Sequence, residues 1–216
     1  MAKLITVGVL ALQGGVVEHL SLLEKAAAQI NLSPQQGKPL TFSFIEVRTI
    51  DQLAKCDALI IPGGESTTMA IVARRLGLMD SLRDFVKVQH KPVWGTCAGL
   101  VLLSEQASAT KQGGQELLGG LDVRVQRNRY GTQVQSFVAP LKLDFLREKS
   151  STEDEVPPFR GVFIRAPAVE EVLVKEKLGA KQPVEVLGVY RRNDADGQGY
   201  TFGGSGKLWI QCGMGT

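Results

Sequence analysis

Residues 4–12, LITVGVLAL, form a near-continuous apolar run, and this run constrains the fold more than any other feature of the sequence. Such a run is typical of a strand that is buried on both faces of a parallel sheet. Apolar residues then recur at helical spacing over 16–30, and strand patterns follow at 41–47 and 58–61. Because alternating strands and helices are the pattern of an α/β protein, we predict a mostly parallel central sheet flanked by helices.

The middle of the chain continues this alternation. Residues 66–76 and 79–88 have the spacing of one helix interrupted near Gly77, and a strand at 92–95 and a helix from Ala98 follow. A glycine inside a helical pattern is a common breaking point. The sequence therefore predicts that the βα rhythm persists through the first hundred residues.

The pattern changes after Gly119. Residues 121–141, LDVRVQRNRYGTQVQSFVAPL, alternate between apolar and polar side chains around the turn-like NRYG. This pattern predicts an antiparallel pair or an edge ribbon, which would add a small antiparallel extension to the sheet. The stretch at 147–158, REKSSTEDEVPP, is charged and rich in Ser and Pro, and it predicts a flexible surface insertion.

Composition excludes several classes of protein. A length of 216 residues suits one domain, and 44% hydrophobic with 22% charged residues is ordinary for a soluble globular chain. The net charge of +3 comes from scattered residues, so the basic patch of a nucleic-acid binder is missing. No apolar run reaches the about 18 residues of a membrane helix. We expect a cytoplasmic protein that binds neither nucleic acid nor membranes.

The cysteines indicate neither a disulfide framework nor a metal site. Cys56, Cys97 and Cys212 are an odd, widely spaced set without CxxC pairing. Nothing else in the sequence has the spacing of metal ligands, and GxGxxG is absent after the first strand, so a dinucleotide fingerprint fails. We therefore expect no metal and no cofactor.

Cys97 lies within Gly95-Thr96-Cys97-Ala98-Gly99, a nucleophile between small residues at a predicted strand-to-helix turn. Such an elbow lifts the side chain above the sheet, and its flanking glycines let neighbouring chains approach. The following helix N-terminus favours a thiolate and offers amides to an oxyanion. The alternative is an ordinary buried cysteine, since Cys is among the most buried residue types.

Two other loops follow predicted strands at the same edge. Residues 61–69, IPGGESTTM, expose the amides of Gly63 and Gly64, which suit an oxyanion, and Glu65 suits a polar or ammonium group. Gln13 ends the first strand. Because ligands of open α/β sheets gather at strand C-termini, these loops favour a common site, although each is also compatible with an ordinary turn.

Two arginines near strand ends complete the candidates. Arg127 precedes turn residues after one strand, and Arg165 follows Ile164 after another. Arginine is the usual reader of a carboxylate because its guanidinium offers a fork of donors. Solvated surface positions are the alternative for both.

Five motifs together resemble the class I glutamine amidotransferases, and among them the glutaminase subunits of pyridoxal 5'-phosphate synthases. The resemblance runs from about Leu4 to Pro167, and its motifs are GVLALQGGVVEHL, LIIPGGESTTM, WGTCAGLVLLS, RNRYGTQVQSF and GVFIRAP. It implies a flavodoxin-like fold and the hydrolysis of L-glutamine to glutamate and ammonia. It also implies a partner, the synthase subunit that receives the ammonia.

The resemblance assigns roles to individual residues. Cys97 corresponds to the nucleophile that forms a glutamyl thioester, and the amides of Gly64 and Ala98 correspond to the oxyanion hole. Gln13 lies in a motif close to the synthase interface. The residues implied to line the glutamine site are Gly64, Glu65, Ser66, Arg127, Ile164 and Arg165.

The family's catalytic base is the point at which this sequence departs from the pattern. The family places a His-Pro-Glu segment after a late strand, and residues 190–216 contain neither that segment nor an evident strand. We therefore divide the chain into an amidotransferase domain, 1–189, and a divergent tail, 190–216. A lost strand would also leave an unpaired sheet edge.

Neither histidine is expected to replace the base. His90 begins the strand that ends at Cys97, and seven extended residues span about 23 Å, so it lies at the opposite edge. His19 belongs to the motif VVEHL, where the family has no catalytic residue. We expect this polypeptide to have little glutaminase activity, because losing base and orienter removes several orders of magnitude of rate.

Two alternatives remain open. The first is a non-catalytic binding or regulatory subunit that docks on the synthase through Gln13 without delivering ammonia. The second is another cysteine hydrolase on the same scaffold, such as a peptidase or a chaperone relative, which PGGESTT and RNRYGTQ disfavour.

Overall fold

The computed structural model describes residues 3–32, 40–108, 114–127, 136–141, 143, 158–164, 167–173, 184–185, 187–191, 199–202 and 208–211. Within them, the first half of the chain alternates strands and helices as predicted. The elements are β1 (Lys3–Leu10), α1 (Val16–Leu32), β2 (Leu40–Val47), α2 (Ile50–Ala54), β3 (Ala58–Ile61), α3 (Ser66–Arg75), α4 (Leu78–Lys87), β4 (Val93–Thr96) and α5 (Ala98–Leu103).

The predicted break near Gly77 is confirmed. Gly77 has φ of +69° and separates α3 from α4. Glycine adopts this left-handed backbone without the steric penalty of a side chain. On α4 the buried side chains Leu78, Met79, Leu82, Phe85 and Val86 recur at helical spacing and join the core beneath the sheet.

The second half of the chain is mostly strand. Its elements are β5 (Ser104–Ser108), β6 (Leu121–Gln126), β7 (Phe137–Leu141), β8 (Phe159–Phe163), β9 (Ala168–Val172), β10 (Gly188–Arg191), β11 (Gly199–Phe202) and β12 (Leu208–Gln211). They supply a second sheet in the order β10-β11-β9-β6-β5 and a two-stranded sheet of β7 and β8. Most of the pairs are antiparallel, which confirms the predicted extension.

The predicted pairing within 121–141 is wrong in its partners. Strand β6 lies between β5 and β9, and β7 pairs with β8 instead. The alternation identified a strand with one buried face, since Leu121, Val123 and Val125 are all buried. Alternation does not identify the neighbour, which is set by how that face packs. The turn-like NRYG lies outside the described residues.

The central sheet has five strands in the order β12-β4-β3-β1-β2, and every pair in it is parallel. The late strand β12 contradicts the expectation that residues 190–216 hold none. The expected unpaired edge is also wrong there, because β12 lies beside β4. A run such as LWIQ, with three apolar residues, is too short to distinguish a strand by periodicity alone.

Parallel register brings several strand ends to one edge of the central sheet. Ile61 of β3 lies opposite Gly95 of β4, and Gln211 of β12 lies opposite Thr96. The loops after β1, β3 and β4 therefore leave the sheet on the same side. The predicted insertion at 147–158 lies outside the described residues except for Pro158, and the division of the chain at residue 190 stays a prediction.

Candidate active site

Cys97 occupies a sharp turn between β4 and α5. Its φ is +47° and its ψ is −100°, and His90 is the other non-glycine residue with positive φ in the described chain. A non-glycine residue held in such a region stores strain of about 1–3 kcal/mol and is often found at functional sites. The structure therefore has the elbow that the sequence predicts, with the thiol partly exposed.

The two flanking glycines are required by close packing. A Cβ on Gly95 would lie 2.6 Å from the carbonyl carbon of Gly99, and a Cβ on Gly99 would overlap the carbonyl oxygen of Ile61. Helix α5 therefore packs with its backbone directly against β3 and β4. This packing fixes the direction in which Cys97 leaves the sheet.

The loop after β3 borders the nucleophile. A Cβ on Gly63 would lie 3.4 Å from Cys97 Cβ and 3.7 Å from the carbonyl oxygen of Thr96. Gly64 faces the other way, since a Cβ there would overlap Gln13 Oε1. Of the two glycines whose amides suit an oxyanion, Gly63 is the one whose Cβ direction faces Cys97. The oxyanion roles of Gly64 and Ala98 stay predictions.

The loop after β1 is joined to the same loop by hydrogen bonds. The backbone N–H of Glu65 donates to Gln13 Oε1 at 2.7 Å, and the N–H of Gly15 donates to the Gly63 carbonyl at 3.3 Å. Gly14 has φ of +98°, and a Cβ on it would overlap the Gly63 carbonyl oxygen. Gln13 is therefore a structural neighbour of the predicted glutamine-binding loop.

Glu65 caps helix α3 and carries a negative charge at its N-terminus. Its Oε2 accepts from the Thr68 N–H at 2.7 Å and from the Thr68 hydroxyl at 3.0 Å. Partial burial alone raises the pKa of the carboxyl, but hydrogen bonds from Thr68 and Thr67 outweigh burial and hold the pKa below its ordinary value. Glu65 therefore stays ionised at neutral pH.

Arg127 reaches this loop from the end of β6. Its Nη2 donates to Glu65 Oε1 at 3.3 Å and to Thr67 Oγ1 at 3.0 Å. The guanidinium side chain is 17% exposed, against 49% for that of Glu65. Glu65 and Arg127 are far apart in the sequence, and no local pattern indicated that they pair. The structure brings these two predicted substrate residues together.

Ser66 and Thr67 contact a residue that sequence reasoning missed. Gln115 Oε1 accepts from Ser66 Oγ at 3.0 Å and from Thr67 Oγ1 at 3.4 Å. Gln115 lies in the segment that leads into β6, and its neighbour Glu116 pairs with Arg74 and Arg83. A single glutamine in a loop has no periodicity or motif, so no signal in the sequence could have identified it.

His19 lies beneath the elbow. It is buried, with Nδ1 2.6 Å from the Gly15 carbonyl oxygen and Nε2 3.4 Å from Thr96 Oγ1. A carbonyl only accepts, so Nδ1 carries the proton of that bond. Both ring nitrogens therefore have partners other than the Cys97 sulfur. His90 is exposed just before β4, as predicted for the opposite edge.

The remaining predicted residues are less defined. Ile164 follows β8 with 48% of its surface exposed. Arg165 lies outside the described residues. Their roles in binding glutamine stay predictions.

The described residues contain no group of three or more His, Cys, Asp or Glu that could hold a metal ion. In the same residues, no helix combines the length and the apolar character needed to cross a bilayer.

Comparison with known proteins gives the site a context. The SNO glutamine amidotransferase family matches residues 9–194. A probable pyridoxal 5'-phosphate synthase subunit PDX2 of Arabidopsis thaliana is 48% identical over 179 residues, which is 83% of this chain and 63% of that protein. The match therefore spans less than two thirds of that relative's length.

Two further similarities agree. Subunit SNO1 of pyridoxal 5'-phosphate synthase from Saccharomyces cerevisiae is 42% identical over 167 residues, covering 77% of this chain and 69% of that protein. A crystal structure of a glutamine amidotransferase superposes with a TM-score of 0.66 at 33% identity, covering 95% of this chain and 87% of the other. The chain belongs to the SNO glutamine amidotransferase family.

Proposed function

We propose that this chain is the glutaminase subunit of a pyridoxal 5'-phosphate synthase. In this role it hydrolyses L-glutamine to glutamate and ammonia, and the ammonia passes to the synthase subunit. The observation that carries the proposal is Cys97 at a strained elbow, packed against Gly63 and flanked by the loop that Glu65 and Arg127 share. The family and the names of the relatives support the same assignment.

Glu65 and Arg127 suit the head group of an amino acid. An ionised carboxylate and a guanidinium lie 3.3 Å apart beside the nucleophile loop. A free α-amino acid carries one ammonium and one carboxylate, so the ammonium is matched by Glu65 and the carboxylate by Arg127. Ser66, Gly64, Ile164 and Arg165 complete the pocket in this proposal.

The reaction at Cys97 is an acyl transfer. The thiolate attacks the side-chain carbonyl carbon of glutamine, and the carbonyl π electrons move onto oxygen, where backbone amides of the Gly64 and Ala98 loops stabilise the charge. Collapse of the intermediate breaks the C–N bond, and the nitrogen leaves as ammonia after taking a proton. Water then attacks the thioester, releases glutamate and restores the thiol.

Proton transfer is the weak step of this polypeptide. The sequence contains two histidines, His19 and His90. The ring nitrogens of His19 hydrogen-bond the Gly15 carbonyl and the Thr96 hydroxyl. His90 is exposed before β4. We therefore propose that acylation by Cys97 is slow and that turnover is far below that of a family member with a His-Pro-Glu segment.

We propose that Gln13 connects the partner surface to the glutamine loop. Its carboxamide oxygen holds the Glu65 N–H, and Glu65 in turn holds Arg127. A synthase subunit seated on the loop after β1 would therefore influence the glutamine pocket through one hydrogen bond.

The proposal is tested with the purified chain and a purified synthase subunit. Glutamine-dependent release of ammonia and glutamate is measured with and without the synthase, for the natural sequence and for Cys97→Ala. We expect a slow release that requires Cys97 and rises when the synthase is added. Release that is equal in Cys97→Ala would contradict the role of Cys97.

A second function is favoured by the placement of the two histidines. In this second function the chain is a non-catalytic binding subunit of the synthase, because His19 bonds Gly15 and Thr96 and His90 is exposed before β4. Both functions predict association in a titration followed by light scattering. Only the glutaminase predicts that glutamine can replace added ammonia in cofactor synthesis by the complex.

A further inference from the structure

Gln115 lies between the segment before β6 and the start of α3. Its Oε1 accepts hydrogen bonds from the hydroxyls of both Ser66 and Thr67. These are the first two residues of α3, directly after the capping residue Glu65. The segment before β6 therefore contacts the glutamine loop from the side opposite Gln13.

The Gln115 carboxamide oxygen faces two hydroxyl groups. Thr67 Oγ1 accepts a hydrogen bond from Arg127 Nη2 at 3.0 Å, so the hydroxyl proton of Thr67 is available to donate elsewhere. Gln115 presents an oxygen to that proton and to the proton of Ser66. The four side chains form one chain of hydrogen bonds that runs from Arg127 through Thr67 and Gln115 to Ser66.

The nitrogen of the same carboxamide is buried and finds no acceptor among the described residues. The hydrogen bonds described for the Gln115 carboxamide are all made by its oxygen.

The segment that carries Gln115 is anchored independently of the pocket. Glu116 pairs with Arg74 and Arg83, and the Arg83 guanidinium also donates to the Leu117 carbonyl oxygen at 2.7 and 3.1 Å. These bonds connect the segment to α3 and α4. Gln115 thus approaches Ser66 and Thr67 from a fixed support.

We propose that Gln115 is a positioning residue of the amino-acid pocket. Its carboxamide oxygen accepts hydrogen bonds from the hydroxyls of Ser66 and Thr67. Through Thr67 it positions the Arg127 guanidinium to bind a substrate carboxylate. Gln115 acts through these residues and does not touch the reacting atoms. This inference rests on the proposed glutamine site and identifies what keeps its arginine in place.

The test uses the chloroketone analogue of L-glutamine, which alkylates a thiolate with loss of chloride and needs no catalytic base. The rate of alkylation of Cys97 against analogue concentration gives a binding constant KI and a maximal rate kinact. We compare the natural chain with Gln115→Met, Thr67→Val and the double variant. Gln106→Met is the matched control, because Gln106 is exposed on β5 and bonds Arg124 away from this site.

We expect Gln115→Met to raise KI by about three- to tenfold, because that is the effect of losing one neutral hydrogen-bond partner. The value of kinact should stay within about twofold of that of the natural chain. The KI of the double variant should not exceed the higher of the two single-variant KI values, because both substitutions interrupt the same chain of bonds. Gln106→Met should leave KI and kinact unchanged. Thermal melts of all variants show whether each one folds. If Gln115→Met does not fold, Thr67→Val tests the same connection.

Two outcomes would overturn the inference separately from the proposed function. An unchanged KI in Gln115→Met, or full additivity with Thr67→Val, would contradict the positioning role while leaving glutamine binding intact. Labelling of the natural chain that L-glutamine does not slow would contradict the glutamine site itself, and the inference with it.

Discussion

The backbone N–H of Glu65 donates to Gln13 Oε1 at 2.7 Å, across 52 residues of sequence. This bond joins the loop after β1 to the loop after β3 next to the nucleophile elbow. On its other side, the Glu65 carboxylate pairs with Arg127. Glu65 therefore caps helix α3 and connects Gln13, on the expected partner surface, to Arg127, which is expected to bind a substrate carboxylate.

The charge of Glu65 should contribute stability that depends on pH. Because its folded pKa is lowered, the contribution is present above the unfolded glutamate pKa and disappears as pH falls through the folded pKa. We expect Glu65→Gln to lower the free energy of unfolding by at most about 1 kcal/mol at neutral pH, since the carboxylate is half exposed at a helix N-terminus.

Urea unfolding at neutral pH and at a pH below the glutamate range measures this difference, with Glu24→Gln on α1 as the matched control. The gap between the natural chain and Glu65→Gln should close on acidification. A gap that widens at low pH would contradict the assigned hydrogen bonds.

Gly99→Ala should disrupt the elbow more than an alanine at another glycine. A Cβ at Gly99 would overlap the Ile61 carbonyl oxygen, and overpacking of this kind lowers stability by about 1–3 kcal/mol. A Cβ at Gly77 would meet nothing within 4 Å. Gly77→Ala should therefore lower the free energy of unfolding only by the about 1 kcal/mol that a positive φ costs a residue with a side chain.

Chemical unfolding and the alkylation rate of Cys97 distinguish the two variants. Gly77→Ala should leave that rate unchanged, whereas Gly99→Ala should lower it by moving the elbow. Equal rates in both variants would show that the packing of α5 against β3 does not aim Cys97.

Cys97 itself should reduce the stability of the fold. Its backbone has φ of +47°, a region that glycine enters without a Cβ clash. Cys97→Gly should therefore be more stable than Cys97→Ala by about 1 kcal/mol. The midpoints of urea unfolding give the comparison if both variants share one slope. A more stable alanine variant would mean that the elbow is not strained.

The register of β12 suggests how a base could be restored. Gln211 lies opposite Thr96, so β12 ends at the same edge of the sheet as the strand that leads to Cys97. The family's His-Pro-Glu segment follows a late strand of this kind. We expect the triple variant Met214→His, Gly215→Pro and Thr216→Glu to hydrolyse glutamine at least about tenfold faster than the natural chain with its synthase partner.

The control for this gain carries Asn in place of His, with the same Pro and Glu changes. It should remain as slow as the natural chain, because asparagine cannot take the thiol proton. A triple variant no faster than the asparagine control would contradict the placement of β12 beside the nucleophile strand.

Much of the central fold could be predicted from the sequence because its signals are local. The apolar run at 4–12 and the helical spacing at 16–30 correspond to β1 and α1, and glycine marks the break at Gly77. The elbow at Cys97 was predictable for the same reason, since its two glycines lie next to it in sequence.

Long-range pairing was not predictable. The alternation at 121–126 identifies a strand, but its neighbours β5 and β9 are chosen by packing of the buried face. The LWIQ strand was missed because four residues carry too little pattern. In the site, the Glu65–Arg127 pair and the contacts of Gln115 join residues about fifty or more positions apart, which no local signal reports.

Peptide mapping after treatment with the chloroketone analogue is the most direct test that Cys97 is the nucleophile of a glutamine site. Burial raises the pKa of the Cys56 thiol, so Cys56 should stay unmodified. We predict one adduct, on Cys97, whose formation L-glutamine slows and D-glutamine does not. Modification of Cys56 or Cys212 at a comparable rate, or an adduct at Cys97 that L-glutamine does not slow, would contradict the claim.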